Sequence, residues 1–321
     1  MIRVQNLSKS FGSKVAVNGL SFTVERGEVL GFLGPNGAGK STTMRMITGF
    51  IPPTAGSVRI GDFDMIEQPI KAKRLIGYLP ENAPAYTDMS VYGFLSFAAE
   101  LRGLRGDDRK KAIHRAVEMC FLQGVMYQSI ETLSKGYRHR TCFAQSIIHD
   151  PEVLVLDEPT DGLDPNQKHE VRGLIKRMGE RKAIVFSTHI LEEVEAACTR
   201  AIIIDRGQIV ANGTPSELKQ RSEVAGAVTL RVAGVAGAAL SQKLSQLPTV
   251  RKASLLSEEK LCVTARVFAR PDCRNGELAR GVFEAAEREG WKVEELHTEE
   301  GRLDEVFRSI TMPDTETEER K

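Results

Sequence analysis

The residue pattern with the most specific chemistry is the glycine-rich segment Gly34–Ser41, which fits G-x-x-x-x-G-K-[ST]. Glycines let the backbone N–H groups of such a segment point at phosphate oxygens, and a following helix adds the positive end of its dipole. Lys40 would then neutralise the outer phosphates, and Ser41 would offer its hydroxyl to Mg²⁺. A flexible glycine turn is the alternative. The predicted nucleotide-binding residues are Gly34, Pro35, Asn36, Gly37, Ala38, Gly39, Lys40, Ser41 and Thr42.

A pair of acidic residues follows a second apolar run. Val153–Leu156 precedes Asp157 and Glu158, which places two carboxylates at the end of a predicted buried strand. Two acids at a strand end are more often a solvated terminus or a helix cap. Beside a phosphate loop they have a chemical use, because hydrolysis needs a metal holder and a group that positions water. We therefore predict that Asp157 holds the metal and that Glu158 is the catalytic base.

The elements that must position these residues are strands of a parallel sheet. Three continuous apolar runs, Val29–Leu33, Val153–Asp157 and Ala183–Ser187, are typical of strands covered on both faces. Helical patterns alternate with them as far as about residue 220, which predicts an α/β domain over residues 1–220. Between Tyr78 and Ser134 the strands disappear, and Val91–Leu101 and Arg109–Phe121 have helical periodicity. The helical segment extends over about residues 82–150. This segment is predicted to be a helical insert.

The rest of the chain predicts a second, smaller domain over residues 221–311 and a charged tail over residues 312–321. Its pattern is β-α-β-β-α-β followed by a last helix, which favours a ferredoxin-like α+β fold. The tail has no core-forming residues. The predicted elements are Val228–Val232, Ala238–Leu247, Lys252–Leu256, Lys260–Ala265, Gly276–Glu289, Trp291–Leu296 and Leu303–Ile310.

Composition narrows the possible classes of function. The 321 residues carry 44 Lys and Arg against 43 Asp and Glu, so the formal net charge is only +1. Binding to nucleic acid by counterion release needs a surplus of basic residues, so we predict no nucleic-acid partner. The five cysteines form no CxxC pair, which disfavours a disulfide framework or a zinc site. No apolar run reaches the roughly 20 residues of a membrane helix, and no export signal is visible, so a cytoplasmic location is expected.

Five motifs together resemble the ATP-binding subunits of ABC transporters. They are the phosphate loop, the segment Leu133–Tyr137, the run Val153–Thr160, the segment Gly162–Pro165 and the triplet Ser187–His189. Their order and spacing match the family over approximately residues 1–215. The resemblance implies a P-loop ATPase with a helical subdomain, which uses ATP and Mg²⁺.

The resemblance also implies roles for single residues. Ser134 and Gly136 look like the signature motif, which in the family binds the γ-phosphate of ATP held by the other subunit. Asp164 resembles the aspartate that communicates across the dimer, although it is equally well a helix N-cap. His189 resembles the switch histidine at the γ-phosphate, whereas a lone histidine is usually structural. Phe11 stands where the family places an aromatic ring on adenine; a core phenylalanine is the alternative.

The sequence departs from the family pattern at two places. Lys135 and Tyr137 replace the usual Gly and Gln of the signature, while Ser134 and Gly136 are retained. Glu81 stands where the family has the glutamine that senses the metal. Both side chains offer an oxygen to Mg²⁺, so we predict that Glu81 is a metal ligand with altered tuning. A solvated loop glutamate is the alternative.

The implied function is ATP hydrolysis coupled to transport. Two copies would close around two ATP molecules and drive a separate integral membrane permease, which would hold the chain at the cytoplasmic face of the cell membrane. The docking surface is predicted at Glu81–Tyr92, although its apolar members (Tyr86, Met89, Val91, Tyr92) could equally be local core. The segments Ile76–Glu81, Asp161–Asn166 and Leu303–Phe307 further resemble ATPases of type 2 permeases, including a gliding-motility-like branch.

Two alternatives to a transport ATPase remain at this stage. One is a soluble ABC ATPase that acts on nucleic acid or ribosomes. The short segment between Lys40 and Ser134 leaves no room for the long coiled coil of repair-type members, and the chain carries one cassette rather than two. The other is a non-hydrolysing regulatory subunit, which the presence of Lys40, Asp157, Glu158 and His189 disfavours.

Overall fold

The computed structural model describes residues 1–82, 84–259, 262–274 and 276–311. The predicted tail and the predicted start of a strand at Lys260 lie outside the described residues. The chain divides into two compact units, Met1–Pro215 and Ser216–Ile310. The division lies between residues 215 and 216, five residues before the boundary that the sequence predicts.

The strands are β1 (Ile2–Phe11), β2 (Lys14–Val24), β3 (Val29–Leu33), β4 (Ala55–Ile60), β5 (Phe63–Asp64), β6 (Ile76–Leu79), β7 (Val153–Asp157), β8 (Ala183–Thr188), β9 (Arg200–Asp205), β10 (Gln208–Gly213), β11 (Val228–Ala233), β12 (Val250–Glu258), β13 (Cys262–Ala269) and β14 (Lys292–Thr298).

The helices are α1 (Lys40–Ile47), α2 (Pro69–Arg74), α3 (Val91–Leu101), α4 (Gly106–Met119), α5 (Lys135–Ile147), α6 (Pro165–Gly179), α7 (Leu191–Ala197), α8 (Pro215–Lys219), α9 (Gly237–Ser245), α10 (Glu277–Arg288) and α11 (Leu303–Ile310). Short 3₁₀ turns lie at Gln123–Val125 and Ile130–Thr132. None of the helices in the described part of the chain has the length and apolar character needed to cross a membrane.

The first unit combines an antiparallel sheet with a mostly parallel one. Among the described residues the antiparallel sheet has the order β2-β1-β4-β5, and the second sheet has the order β10-β9-β3-β8-β7-β6. Strands β9, β3, β8, β7 and β6 of the second sheet are parallel, and β10 joins its edge antiparallel. Parallel strands end at the same edge, so the residues that follow β3, β7 and β8 are brought together.

The central sheet is buried on both faces, as the continuous apolar runs predict. In β7, Leu154 and Leu156 belong to a core shared with the helical insert, while Val153 and Val155 belong to a core shared with the antiparallel sheet. This follows from the alternation of side chains along a strand. Close approach requires glycine at one point: a Cβ on Gly77 of β6 would lie 2.1 Å from the carbonyl oxygen of Ser146 in α5.

The second unit has the strand order β12-β13-β11-β14, with all neighbours antiparallel. With helices α9 and α10 between the strands, this is the ferredoxin-like arrangement that the sequence predicts. Its own core joins β11 and β13 to both helices, through Leu230 and Ala265 in the sheet and Leu240 and Val282 in the helices.

The sequence-based bounds differ from the observed ones by a few residues. The helix predicted at Arg109–Phe121 spans Gly106–Met119, and the hairpin turn predicted around Ser257–Glu259 lies later because β12 continues to Glu258. Gly106 has φ +54 and begins α4 with two acidic residues directly after it. Acidic residues in the first turn stabilise the start of a helix. A glycine at that position lowers the helical propensity of the sequence, so the start of α4 is predicted too late.

Candidate active site

The loop between β3 and α1 is held by close contacts that only glycine allows. A Cβ on Gly34 would lie 2.4 Å from the carbonyl oxygen of Ile204, and one on Gly39 would lie 2.6 Å from that of Ala16. Gly39 also has φ +107 and is the N-cap of α1. The loop is therefore pressed against neighbouring strands and leads directly into the N-terminus of α1, where a helix can bind a phosphate group.

The strand register explains how the metal-binding candidates meet. Asp157 at the end of β7 pairs with Ser187 of β8 across the parallel ladder. Asp157 Oδ1 accepts hydrogen bonds from the hydroxyl of Ser187 and, at 3.1 Å, from that of Ser41 at the start of α1. The residues predicted to bind the metal are thus in direct contact, apart from Glu81.

Glu158 has a left-handed backbone, with φ +50, which is uncommon for a residue other than glycine. Its N–H donates to the carbonyl oxygen of Ser187 at 3.2 Å and to the Ser187 hydroxyl at 3.1 Å. The carboxylate of Glu158 contacts two candidate residues. One oxygen lies 3.7 Å from Lys40 Nζ, an ion-pair distance, and the other lies 3.0 Å from Nδ1 of His189.

Burial dominates the electrostatics of this cluster. Lys40 is 7% exposed and donates to the carbonyl oxygens of Gly34 and Pro35 at 2.8 and 3.3 Å. Burial lowers the pKa of Lys40, and the nearby carboxylates of Glu158 and Asp157 partly oppose this. Burial likewise raises the pKa of Glu158, and the hydrogen bond from His189 partly opposes the shift. A carboxylate with a raised pKa is a stronger base than one in water.

Asp157 leaves room for a further ligand. It is fully buried, and its second oxygen, Oδ2, has no hydrogen-bond partner among the described protein groups. A buried carboxylate oxygen without a partner is costly unless a cation or water completes it. The hydroxyl of Ser41 supplies another hard oxygen beside it, so these residues fit Mg²⁺.

Two further candidates, Glu81 and Phe11, have exposed side chains. Glu81 lies exposed in the turn after β6, near enough for its charge to raise the pKa of Lys40 slightly against the effect of burial. Phe11 ends β1 and is 52% exposed, with the ammonium of Lys9 5.2 Å from its ring centre. The alternative of a core phenylalanine is therefore wrong, and the predicted stacking on adenine stays a prediction.

The signature candidates begin α5, in the helical insert. The Ser134 hydroxyl is the N-cap and accepts from the N–H of Tyr137 at 3.3 Å. Gly136 faces α6 so closely that a Cβ would lie 2.3 Å from Oε1 of Gln167. Asp164 caps α6 by accepting from the N–H of Gln167 at 3.0 Å. The capping role of Asp164 is confirmed, while its role in communication stays a prediction.

One positioning residue is missed by the sequence patterns. Glu193 of α7 is buried and accepts hydrogen bonds from Thr160, after β7, and from Thr188, before His189. It therefore ties together the two loops that carry the catalytic candidates. The sequence offers one clue to Glu193: it stands next to Val194 on the face of a short helix that is buried. Glutamate is almost never buried without a partner, so its place on that face indicates hydrogen bonds to other buried groups.

The fold and the motif order define a P-loop ATPase of the ATP-binding cassette type. Residues 17–161 match the family model described as ABC transporter. A linearmycin resistance ATP-binding protein of Bacillus subtilis (strain 168) is 35% identical over 236 residues, which is 73% of this chain and 76% of that protein. A Nod factor export ATP-binding protein I of Burkholderia orbicola (strain AU 1054) is 33% identical over 284 residues, covering 85% of this chain and 91% of that protein.

Solved structures agree with these matches. The structure of an ATP-binding subunit of an ABC transporter is similar with a TM-score of 0.64 at 26% identity, over 69% of this chain and 92% of that one. The chain belongs to the ABC transporter ATP-binding proteins, and it is an ATPase.

Proposed function

We propose that this chain is the ATP-hydrolysing subunit of a membrane exporter of the type 2 permease class. The observation that carries the proposal is the cluster at the strand ends, where Lys40, Glu158 and His189 meet beside Ser41 and Asp157. The proposed direction of transport is supported by a relative whose name describes export of Nod factor.

Each residue of the cluster has a chemical role in this proposal. The free backbone N–H groups of the loop, for which Asn36, Gly37 and Gly39 are the candidates, and the ammonium of Lys40 bind the phosphates. Ser41 and Asp157 hold Mg²⁺, which polarises the phosphate oxygens when bound. Glu158 orients the attacking water and removes its proton, helped by the raised pKa of its buried carboxylate. His189 contacts Glu158 and the terminal phosphate.

Two copies of the chain close around two nucleotides. The N-terminus of α5, with Ser134 and Gly136, belongs to the helical insert rather than to the phosphate loop. A helix N-terminus stabilises an anion, and the family resemblance gives that anion as the terminal phosphate of ATP held by the other copy. ATP then favours the closed pair only while it is bound.

The partner is a separate membrane permease, which holds the ATPase at the cytoplasmic face. The proposed docking surface is the segment 81–92, of which Ala83 lies outside the described residues. Tyr86 is 55% exposed and packs edge-on against the ring of Phe97, whereas Val91 is fully buried. Met89 and Tyr92 are partly buried against the core of the insert. Tyr86 is therefore the contact we assign to the permease.

Glu158→Gln tests the site and the dimer together. The amide keeps the size of the side chain and removes the base, so hydrolysis should fall by at least about a hundredfold while ATP binding remains. Sedimentation velocity with ATP and Mg²⁺ should then show a stable dimer. Lys40→Ala in the same background is the control and should abolish the dimer. A Glu158→Gln variant that stays monomeric with ATP, or turns over at the parental rate, would overturn the proposal.

A further inference from the structure

The signature segment carries a lysine that forms an exposed ion pair with the loop after β7. Lys135 Nζ donates to Oδ2 of Asp161 at 3.1 Å, and the two side chains are 70% and 52% exposed. The stem of Lys135 lies across Gly162: a Cβ there would be 2.3 to 2.8 Å from three of its side-chain atoms. Because Gly162 has no Cβ, the side chain of Lys135 can pass over it and reach Asp161.

The pair lies at the N-terminus of α5, where the helix dipole favours an anion. Lys135 is the first residue of α5, between Ser134 and Gly136, and the first turn of this helix holds no acidic residue. The positive end of the helix dipole and the ammonium therefore act in the same direction. Asp161 is the negative partner, and its hydrogen bond with Lys135 lowers the pKa of the aspartate, which keeps it ionised.

The ion pair is not needed to hold the start of α5 in place. Gly136 packs directly against Gln167 of α6. One turn later, Arg140 donates to Glu170 of α6 at 2.6 Å, with the Arg140 side chain only 9% exposed. These contacts fix the helix against α6 whether or not the exposed pair is formed, so Lys135 is free to change its partner.

Energetics favour such a change. An exposed ion pair contributes only about 0 to 1 kcal/mol, because water and salt screen it. A triphosphate offers several negative charges, and a charge-assisted hydrogen bond to phosphate is among the stronger kinds. Asp161, in contrast, would repel a phosphate placed at the same helix end. An approaching phosphate would therefore attract Lys135 and weaken the ion pair between Lys135 and Asp161.

We propose that Lys135 exchanges partners between Asp161 of its own copy and the terminal phosphate of ATP held by a second copy. Lys135 is then an additional phosphate-binding residue, and Asp161 competes with the nucleotide for it. Because of this exchange, closure of the dimer would depend more strongly on bound ATP than it would if only the backbone N–H groups of α5 contacted the phosphate. This inference rests on the proposed homodimer.

The experiment measures the dissociation constant of the ATP-bound dimer in the Glu158→Gln background by sedimentation velocity. Lys135→Ala removes one phosphate contact from each of the two nucleotide sites and should weaken the dimer about tenfold, which is about 1.4 kcal/mol for the two contacts together. Lys135→Arg should retain most of the affinity. Asp161→Asn should tighten the dimer severalfold, since it removes the competitor. Lys110→Ala, which removes a surface lysine paired with Asp107 at 3.8 Å on α4, is the matched control.

The decisive result is that Lys135→Ala and Asp161→Asn change the dissociation constant of the dimer in opposite directions. If the pair were only a structural strap, Lys135→Ala and Asp161→Asn would weaken the dimer alike, and this result would overturn the inference. Equal affinities for all four variants would also overturn it. Failure of the Glu158→Gln parent to dimerise is a separate outcome: it removes the proposed homodimer, and the exchange with it. Binding of fluorescent ATP to the monomeric Lys135→Ala protein should remain at the parental level.

Discussion

Lys40 and Glu158 are buried ions of opposite charge, and each compensates the other before any nucleotide is bound. Both are at most 9% exposed, and their charged groups lie 3.7 Å apart. A buried charge that loses its partner costs several kcal/mol. The ion pair with Glu158 and the hydrogen bonds to the carbonyl oxygens of Gly34 and Pro35 together hold Lys40 in position. In the proposed mechanism, a phosphate that attracts Lys40 also frees Glu158 to act on water.

Glu81 gives a prediction about the metal. Its carboxylate lies near Lys40, at the position of the family glutamine, and a carboxylate beside a divalent cation is stabilised as the anion. We expect Glu81→Gln to hydrolyse ATP but to need more Mg²⁺ for half-maximal rate. Glu81→Ala should in addition weaken stimulation by the permease. Mg²⁺ titrations of the ATPase rate for the three forms provide the measurement.

A matched substitution separates a metal effect from a general change of charge. Glu67 is an exposed acid on the same unit, so Glu67→Gln removes one negative charge away from the cluster. Superimposable Mg²⁺ curves for the parent, Glu81→Gln and Glu81→Ala, with equal stimulation by the permease, would leave Glu81 without this role.

The strand ends were predictable from the sequence, but the turns after them were not. Continuous apolar runs identify β3, β7 and β8, and parallel strands bring Lys40, Asp157 and His189 to one edge. The left-handed backbone of Glu158 and the hydrogen bonds of Glu193 depend on how the loops fold against each other. No local periodicity encodes such contacts. The pair of Lys135 with Asp161 likewise joins segments that only tertiary packing brings together.

At the scale of elements, α5 connects the signature residues to the core through both of its ends. Its first turn packs against α6, and its last turn lies against β6, where Gly77 allows the carbonyl oxygen of Ser146 to approach. The middle of α5, which includes Cys142 and Phe143, is buried in the apolar core of the helical insert. Because both ends of α5 pack against other elements of the core, we expect the helix not to move by itself. The proposed exchange of partners at its N-terminus would then involve only side chains.

The buried histidine of α5 predicts sensitivity to acid. His139 is 5% exposed, and neither ring nitrogen has a partner among the described groups. Burial lowers the pKa of His139 to about 4. The unfolded chain, with a histidine pKa of about 6.5, takes up the proton first. Stability should therefore fall as pH decreases from about 6.5 towards 4, with a loss of roughly 2 kcal/mol at pH 5.

Urea unfolding at pH 7.5 and pH 5.0 measures this contribution. His139→Leu removes the titrating group, so the difference in free energy of unfolding between the two pH values should be smaller by about 2 kcal/mol than in the parent. His114→Leu removes a histidine from the exposed side of α4 and serves as the control. An equal pH difference for the parent and His139→Leu would contradict the prediction.

At the scale of the whole molecule, the chain has two units with separate cores. The groups at the candidate active site all lie within Met1–Pro215, while Ser216–Ile310 has the ferredoxin-like sheet and its own apolar cluster. The sequence indicated this division through the change of pattern after about residue 220. It could not place the boundary to the residue, because α8 is a short helix with few distinguishing positions.

Separate cores predict that the first unit binds nucleotide alone. A truncation after Pro215 keeps the phosphate loop, β7 and β8 with both apolar cores that support them, so it should fold and bind fluorescent ATP with near-parental affinity. Titration of the truncated protein measures this, with circular dichroism to establish folding. The same truncation with Lys40→Ala is the control and should bind at least about tenfold more weakly, since Lys40 is the cation that we propose binds the phosphates. A folded truncation that binds no nucleotide would mean that residues 216–310 contribute to the site.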